Sequence, residues 1–579
     1  MCSSDLKVSL GLAGYSDWWY PTFNERDGSR LRGNDIGYTR GMEILTRARV
    51  SPVWDDVQKS PYAMWEERGV FQHVWLEDAR RIGSAIGDLR SVSYASGELA
   101  RLHEQSGRFE PALVQARRAL FAAQQADAPE ALYRWQWQSA RLLARLGRED
   151  DALAGYQRAI RTLAPLRQDL LVEARASRQS YREAVGPLFL EHADLLLRRA
   201  RRTAGQPESQ RDLLEAREVV ENLKAIELED YFQDECVAAQ EARQKDIEQV
   251  APRSAVLYPV ILPDRVEMLM STAGGMRQVV LPVSGAQLAK ETRVMRTFLE
   301  KRTSHQYLPQ ARRLYDWLIR PLEALLAAES VDTLVIVPDG PLRLIPLAAL
   351  HDGTQFVVER FAVATAPGLR LIEPHALKRQ STRMLLNGLT VSVQKFPSLP
   401  HVKEEVSTIG ALLPSTVLAD GDFLLASFER ELRGLPYSIV HIASHGQFDS
   451  DPKKSFLLAF DGRLDMDNLE RVIKFSRFRD EPVELLTLSA CRTAAGDERA
   501  ALGLAGVAVK AGARSALATL WYINDQASSE LVAEFYRRLA DPQLSKARAL
   551  QQAQQAIMRD ARYRHPGFWA PFLLIGNWL

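Results

Sequence analysis

The residue pattern of this 579-residue chain changes near position 250. Before that point the sequence is rich in Ala, Leu, Arg, Glu and Gln and has few β-branched runs, a composition that favours helix. After it, short runs of Val, Ile and Leu alternate with helical stretches, the pattern of an α/β domain with a mainly parallel sheet and helices on both faces. The chain is therefore expected to place an all-α region before an α/β domain.

Three segments follow from this pattern. Residues 80–250 are predicted to form helical repeats and a helical connector, and residues 251–579 an α/β domain. Residues 1–79 stay unassigned, because Gly and Pro interrupt any periodicity in them. Their first letters, MCSSDL, are typical of a cloning scar, so we expect a truncated N-terminal region.

A repeat of 40 residues lies in the helical region. Gly107 recurs as Gly147, and Ala112 recurs as Ala152. Small residues let two antiparallel helices approach closely, and a glycine suits the turn between them. The pattern resembles a tetratricopeptide repeat with a longer period, and the alternative is an unrelated pair of helical hairpins. A solenoid needs about three copies, so helices near 170–200 and 210–247 are expected to extend the stack.

The α/β region contains enough patterned segments to place its motifs on elements. The predicted strands are 256–262, 266–270, 278–283, 333–337, 356–364, 384–389, 438–443, 456–460, 485–489 and 515–519. The predicted helices are 402–413, 423–433, 499–513, 526–540 and 544–559.

Two of these strands end in a reactive residue. The apolar run SIVHIASHG ends at His445 and Gly446, and the run ELLTLSAC ends at Cys491. Ligands bind outside the carboxyl ends of parallel strands, so the imidazole and the thiol are expected to face one crevice.

That pairing suits nucleophilic catalysis by cysteine. A nearby imidazole can accept the thiol proton and later protonate a leaving amine. The backbone N–H groups of Gly446 and Cys491 are candidates for an oxyanion hole. Caspases carry a nucleophilic Cys before Arg, with the His about 50 residues upstream. Here Arg492 follows Cys491 and the His lies 46 residues upstream, while the flanking residues depart from the caspase signature.

Each residue also has a plain structural explanation. A single Cys after an apolar strand is usually a buried, inert thiol, and a single His is usually a satisfied polar group. The joint placement of His445, Gly446 and Cys491 favours catalysis over two independent structural residues.

Composition excludes several other classes of function. The three cysteines, Cys2, Cys236 and Cys491, are far apart, so neither a disulfide framework nor a zinc cluster is expected. No motif for a metal or a cofactor is present. The 74 basic against 73 acidic residues argue against nucleic acid as a partner, and no apolar run reaches 18 residues, so no membrane segment is expected.

The α/β motifs together resemble a CHAT domain, the caspase-like peptidase domain found with tetratricopeptide repeats in bacteria. The matching stretches, in order, are LVIVPDGPLRLIPLAAL, FVVERFAVATAPGL, YSIVHIASHGQF, ELLTLSACRTAAGDERAALGLAGVAVKAGARSALATLWYINDQAS and HPGFWAPFLLIGNW. The resemblance implies a caspase-like fold for residues 251–579, with His445 as general base and Cys491 as nucleophile. It also implies cleavage of peptide bonds without a metal.

The resemblance further points to a specificity pocket. The segment ALATLWYINDQA places Asp525 where relatives hold an acidic residue for a basic P1 side chain. A carboxylate there would bind Arg bidentately and Lys as a point charge. Asp449 and Asp497 are further pocket candidates. The structural alternative for Asp525 is a helix N-cap, and one residue could serve both purposes.

Two functions follow as alternatives. The first is a cysteine endopeptidase that acts on protein or peptide substrates and is regulated or targeted by a protein partner bound to its helical repeats. The second is a catalytically silent protein-interaction scaffold. The expected location is the bacterial cytoplasm, and export stays open because the N-terminus looks incomplete.

Overall fold

The structure is a computed structural model, and it divides into two compact units between Ser180 and Tyr181. The residues that it describes are 63–167, 170, 181–233, 251–377, 382–477, 483–493 and 497–579. The aromatic-rich N-terminal segment up to residue 62, which includes Cys2, lies outside these ranges, and so does Cys236. The predicted segment boundaries at 79/80 and 250/251 stay predictions.

The first unit consists of consecutive antiparallel helices. In its described part these are α1 (Ala63–Ile86), α2 (Leu89–Gln105), α3 (Phe109–Gln125), α4 (Pro129–Arg145) and α5 (Glu149–Leu163). The hairpin of α2 and α3 recurs after 40 residues as the hairpin of α4 and α5, so the repeat predicted from the sequence is confirmed.

Small residues explain how the helices of this unit approach one another. Gly107 and Gly147 adopt φ of +70° and +74° in the turns between paired helices, a conformation that costs glycine little. Gly97 on α2 lies against the ring of Trp135 on α4, and the indole N–H donates to Ser93 Oγ at 2.8 Å. Contact between α2 and α4 joins one hairpin to the next.

The two further helices expected after the repeat belong to the second unit. They are α6 (Tyr181–Arg202) and α7 (Pro207–Phe232). The remaining helices described in this unit are α8 (Gly285–Glu300), α9 (Leu308–Leu318), α10 (Glu323–Ala328), α11 (Val357–Arg360), α12 (Val402–Gly410), α13 (Leu425–Gly434), α14 (Met466–Arg477), α15 (Glu498–Ala511), α16 (Asp525–Leu539) and α17 (Lys546–Arg559).

A sheet of thirteen strands forms the centre of the second unit. The strands are β1 (Ser254–Ile261), β2 (Val266–Thr272), β3 (Gly275–Leu281), β4 (Thr333–Ile336), β5 (Ala362–Thr365), β6 (Met384–Gly388), β7 (Ser415–Ala419), β8 (Ile439–Phe448), β9 (Phe456–Leu458), β10 (Arg463–Asp465), β11 (Leu485–Thr493), β12 (Ser515–Thr519) and β13 (Phe572–Gly576).

Most of the pairings in this sheet are parallel. The order is β10-β9-β8-β11-β12-β13-β5-β4-β1-β2-β3, and β6 pairs in parallel with both β7 and β8. Antiparallel pairs occur at β1-β2-β3, at β8-β9-β10 and between β12 and β13. The described residues of β11 and all of β12 are buried at consecutive positions, as expected when helices cover both faces. The predicted fold class is therefore confirmed.

Some predicted elements differ in detail. The segment 356–364 is wrong as one strand, because α11 precedes β5 and the Glu359 carboxylate accepts a hydrogen bond from the N–H of Phe356 at 2.6 Å. Helices α8, α9, α10 and α14 have no counterpart in the predicted set. Gly503 and Gly506 lie within α15 against side chains of α7, so they allow these two helices to pack closely. None of the described helices combines the length and apolar character needed to cross a membrane.

Candidate active site

Strands β6, β8, β11 and β12 run in parallel, so their carboxyl ends meet at one edge of the sheet. In the register of β8 with β11, His445 pairs with Ala490 and Gly446 pairs with Cys491. The backbones of the predicted dyad therefore occupy neighbouring positions on adjacent strands. The side chain of Cys491 lies outside the part of the chain whose side chains the structure describes.

Neither strand ends at its reactive residue, contrary to the prediction. Strand β8 continues to Phe448 and β11 to Thr493, because residues beyond the dyad still pair with each other. The register shifts between Leu488 and Ala490, so the ladder has a β-bulge or a similar irregularity just before the paired His445. Bulges are common beside active sites, where they redirect a side chain.

The imidazole of His445 is 9% exposed and has a defined hydrogen-bond partner. Its Nε2 lies 2.9 Å from the carbonyl oxygen of Pro397. A carbonyl can only accept, so Nε2 must carry a proton and donate it. In the neutral ring Nδ1 is then the proton acceptor. The ring of Phe396 packs against the imidazole, with ring centroids 5.1 Å apart.

Gly446 lies inside β8 and pairs on both sides. It pairs with Cys491 of β11 on one side and with Leu457 of β9 on the other. The residue therefore belongs to the sheet ladder next to the dyad.

Asp525 is the first residue of α16, at the edge where β12 ends. Its Oδ2 accepts a hydrogen bond from the backbone N–H of His401 at 2.8 Å. Burial raises the pKa of the Asp525 carboxyl, while the His401 hydrogen bond and the charges of His401 and His445 act in the opposite direction. Asp525 and His445 thus lie close enough to interact electrostatically.

The N-cap of α16 is the residue before Asp525. The side chain of Asn524 accepts a hydrogen bond from the N–H of Ala527 at 3.1 Å, which is the bond that an N-cap makes. The alternative that Asp525 itself caps this helix is wrong.

The two other pocket candidates have local partners. Asp449 lies just past β8, and its carboxylate accepts from the N–H of Asp451 at 3.1 Å. Asp497 is the N-cap of α15 and accepts from the N–H groups of Arg499 and Ala500 at 2.8 and 3.0 Å. These bonds stabilise a turn and a helix terminus.

A buried pair lies one turn of helix from His401 and was not foreseen. Glu405 on α12 places Oε1 3.0 Å from Nε2 of His441 on β8, and both side chains are at most 1% exposed. The ring of Tyr536 on α16 packs edge-on against His441, with centroids 5.8 Å apart. The side chain of His441 is therefore enclosed between α12 and α16.

Sequence reasoning also missed the residues that hold His445. Pro397 and Phe396 lie in the loop after β6, which reaches the same sheet edge as the dyad. The run of polar and proline residues after that strand is a signal for a loop, but it does not show which carbonyl faces the histidine. Among the described residues, no group of three His, Cys, Asp or Glu side chains could hold a metal ion.

Comparison with known families places this edge in a recognised domain. Residues 308–577 match the model of the CHAT domain. The CHAT match begins at α9 and includes every strand from β4 to β13, so it contains His445, Cys491 and Asp525. The prediction of a CHAT domain is confirmed, whereas peptidase activity, its specificity and a bacterial source stay predictions.

Curated relatives add a second likeness. Tetratricopeptide repeat protein 28 of Homo sapiens and that of Mus musculus are each 26% identical over 337 residues, which is 48% of this chain. The chain spans 13% and 14% of the lengths of these two relatives.

Two solved structures of the separase–securin complex of Saccharomyces cerevisiae also resemble this chain. Their TM-scores are 0.41 and 0.40 at 8% and 9% identity, covering 86% of this chain and 50% of the solved chain.

Proposed function

We propose that the CHAT domain is a cysteine endopeptidase in which His445 is the general base and Cys491 the nucleophile. The observation that carries the proposal is the pairing of β8 with β11, which brings the two residues to adjacent strands, one register position apart, near the carboxyl edge of the sheet. The hydrogen bond from His445 to Pro397 supports the role of the imidazole, because it leaves Nδ1 as the proton acceptor.

In the proposed reaction, His445 Nδ1 takes the proton of the Cys491 thiol, and the thiolate attacks the carbonyl carbon of the peptide bond. The imidazolium is stabilised by its second N–H bond to Pro397. It returns the proton to the leaving amine, which gives an acyl-enzyme and a free amino terminus. A water molecule then adds to the thioester, His445 accepts its proton, and the carboxylic acid leaves as the thiol re-forms.

We assign the oxyanion to the backbone N–H groups of Gly446 and Cys491. Charge develops on the carbonyl oxygen during attack, and fixed N–H donors stabilise that charge. The two residues lie opposite each other in the register of β8 and β11, next to His445.

For substrate choice, we assign Asp525 to a basic P1 side chain. Its carboxylate is half-buried, and its pKa is raised by burial, so a guanidinium or ammonium group would favour the ionised form. Its Oδ2 already accepts from His401, and Oδ1 is the oxygen that we assign to the substrate. The local bonds of Asp449 and Asp497 make them weaker candidates.

The helical repeats would supply a partner site that targets or regulates the peptidase. Exposed apolar side chains on helix α3 support this role: Val114 is 50% exposed and Phe121 is 61% exposed. Exposed apolar side chains of this size are typical of surfaces that contact other proteins when they cluster. A cytoplasmic location in a bacterium is part of this proposal.

An electrophilic peptide probe with arginine at P1 tests the proposed function. We expect the probe to label the full chain covalently, and the Cys491→Ala variant to lose both labelling and peptide cleavage while keeping its circular dichroism spectrum. The matched control is Cys236→Ala, which should keep both. If the wild-type chain stays unlabelled, also with a protein bound to its repeats, the silent scaffold is the better description.

A further inference from the structure

The loop that touches His445 has a closed internal structure. We define the histidine loop as residues 390–399, between β6 and α12. The N–H of Leu399 donates to the carbonyl of Thr390 at 3.1 Å, which joins the two ends of the loop. Within it, the N–H of Phe396 donates to Val393 O at 3.0 Å, and Ser392 Oγ donates to Phe396 O at 2.7 Å. The loop thus presents the Pro397 carbonyl as part of a compact unit.

One carboxylate outside the loop holds its first residues. Asp420 directly follows β7, and its Oδ1 accepts from the N–H groups of Thr390 and Val391 at 2.7 and 3.3 Å. Its Oδ2 accepts from Thr390 Oγ1 at 2.7 Å. Burial raises the pKa of the Asp420 carboxyl, but the hydrogen bonds from Thr390 and Val391 together outweigh it and hold that pKa below its usual range.

Asp420 has an uncommon backbone conformation that points its carboxylate at the histidine loop. Its φ is +47°, a left-handed conformation that non-glycine residues adopt rarely and that Asp tolerates better than most. The turn aims both carboxylate oxygens at the start of the histidine loop.

We propose that Asp420 is a positioning residue for His445: it fixes the histidine loop so that the Pro397 carbonyl holds the imidazole proton on Nε2. Asp420 acts through the loop backbone, because its hydrogen bonds go to Thr390 and Val391 and the same loop carries the Pro397 carbonyl that accepts from His445. Its kinetic consequence rests on the proposed role of His445 as general base, whereas its effect on the imidazole does not.

Consequences for the imidazole follow from the loss of this anchor. Without a fixed acceptor at Nε2, the neutral ring would populate both tautomers, and only the Nε2–H form offers Nδ1 to a proton. A fraction of the protein would then hold the wrong nitrogen toward the thiol, which lowers kcat and leaves substrate binding unchanged.

The direct test is the tautomer of His445 in the full chain, measured from the imidazole nitrogen shifts of ¹⁵N-histidine-labelled protein. His445→Gln identifies the signals. We expect the Nε2–H form in the wild type, a mixture in Asp420→Ala, and recovery in Asp420→Asn, which keeps an oxygen for the N–H groups of Thr390 and Val391. Asp422→Ala, an exposed neighbour, is the matched control and should leave the tautomer unchanged.

A second, milder variant guards against loss of the fold. Thr390→Val removes only the hydroxyl bond to Oδ2 and should shift the tautomer ratio in the same direction by a smaller amount. An unchanged Nε2–H tautomer in folded Asp420→Ala and Thr390→Val overturns the proposal, whatever the peptidase activity.

The kinetic readout separates this proposal from the proposed function. We expect kcat to fall about tenfold in Asp420→Ala with KM unchanged, a part of the roughly 10²- to 10⁴-fold that general acid–base catalysis contributes, and we expect Asp420→Asn to restore most of it. A shifted tautomer in a chain without peptidase activity supports the positioning role and contradicts the proposed function. If the chain cleaves peptides but Asp420→Ala changes neither the tautomer of His445 nor kcat, the result supports the proposed function and contradicts the positioning role of Asp420.

Discussion

At the scale of single residues, the carboxylate of Asp525 already interacts with two groups of the protein. It accepts a hydrogen bond from the His401 backbone, and it lies close enough to His445 for their charges to interact. A P1 cation would add a third partner to the same group. Loss of that charge should therefore affect basic substrates much more than neutral ones.

We expect Asp525→Asn to lower kcat/KM for peptides with P1 Arg by about 10- to 100-fold, the value of a hydrogen bond to a charged group. Peptides with a neutral P1 residue should change little. Burial raises the pKa of Asp525, so this carboxylate becomes protonated at a higher pH than an ordinary Asp. In the wild type, kcat/KM for P1 Arg should therefore begin to fall at that higher pH as the solution is made more acidic. The measurement is kcat/KM against pH for both peptides.

Asp449→Asn and Asp497→Asn are the controls for that series. Their carboxylates accept backbone hydrogen bonds in a turn and at a helix terminus, so neither change should alter P1 preference. A selective loss of P1 Arg cleavage in either variant would move the pocket away from Asp525.

The residues of the site differ in how far the sequence could predict them. His445 and Cys491 are recognisable because each follows an apolar strand pattern within one short segment. Pro397 and Asp420 are not, because they act through backbone and loop contacts between segments that are distant along the chain. Such contacts leave no local pattern.

At the scale of elements, a buried charged cluster joins α6 and α7 to the turn after β4. Its members are Arg182, Lys224, Glu227, Asp339 and Arg343, with Arg182 donating to both oxygens of Asp339 at 2.7 and 2.8 Å. Three cations thus face two carboxylates. Burial raises the pKa of Asp339, but Arg182 and Lys224 outweigh it and hold that pKa far below its usual range.

Two substitutions in this cluster should differ in cost. Asp339→Asn leaves three cations, two of them buried, with one carboxylate, and we expect the free energy of unfolding to fall by about 3–5 kcal/mol. Lys224→Met leaves two cations and two carboxylates, so its cost should be smaller. Urea unfolding of both variants near neutral pH measures the difference, and equal losses would contradict the charge count.

The pH dependence of stability follows from the same cluster. Because the pKa of Asp339 is depressed in the folded state, its stabilising contribution is complete above the unfolded pKa, about 4, and is lost as pH falls. The difference in the free energy of unfolding between the wild type and Asp339→Asn should therefore shrink in acid. Urea unfolding of both proteins at lower pH measures this difference.

Elements were predictable where local patterns are strong. The order of strands and helices along the site edge follows from apolar runs and their spacing. Helix α8 was missed although Ser284 and Gln287 form a capping box, a signal that the sequence does contain. At 356–360 the β-branched residues favour a strand, but the segment forms a single helical turn. The Glu359 side chain stabilises this turn by accepting a hydrogen bond from the N–H of Phe356.

At the scale of the whole molecule, the division at Ser180 and Tyr181 predicts two unfolding transitions. Contacts between successive hairpins determine the stability of a repeat unit. Gly97 provides a selective probe of these contacts, because a Cβ there would lie 2.2 Å from the Trp135 ring, on the next hairpin.

We expect Gly97→Ala to lower the free energy of unfolding of the first unit by about 1–3 kcal/mol, the usual effect of overpacking a core. Calorimetry should then show one transition moving to lower temperature and the other staying in place, because Gly97 and Trp135 both belong to the first unit. Gly434→Ala is the control, because a Cβ at that position meets no atom within 4 Å. A common shift of both transitions in Gly97→Ala would mean that the two units unfold as one.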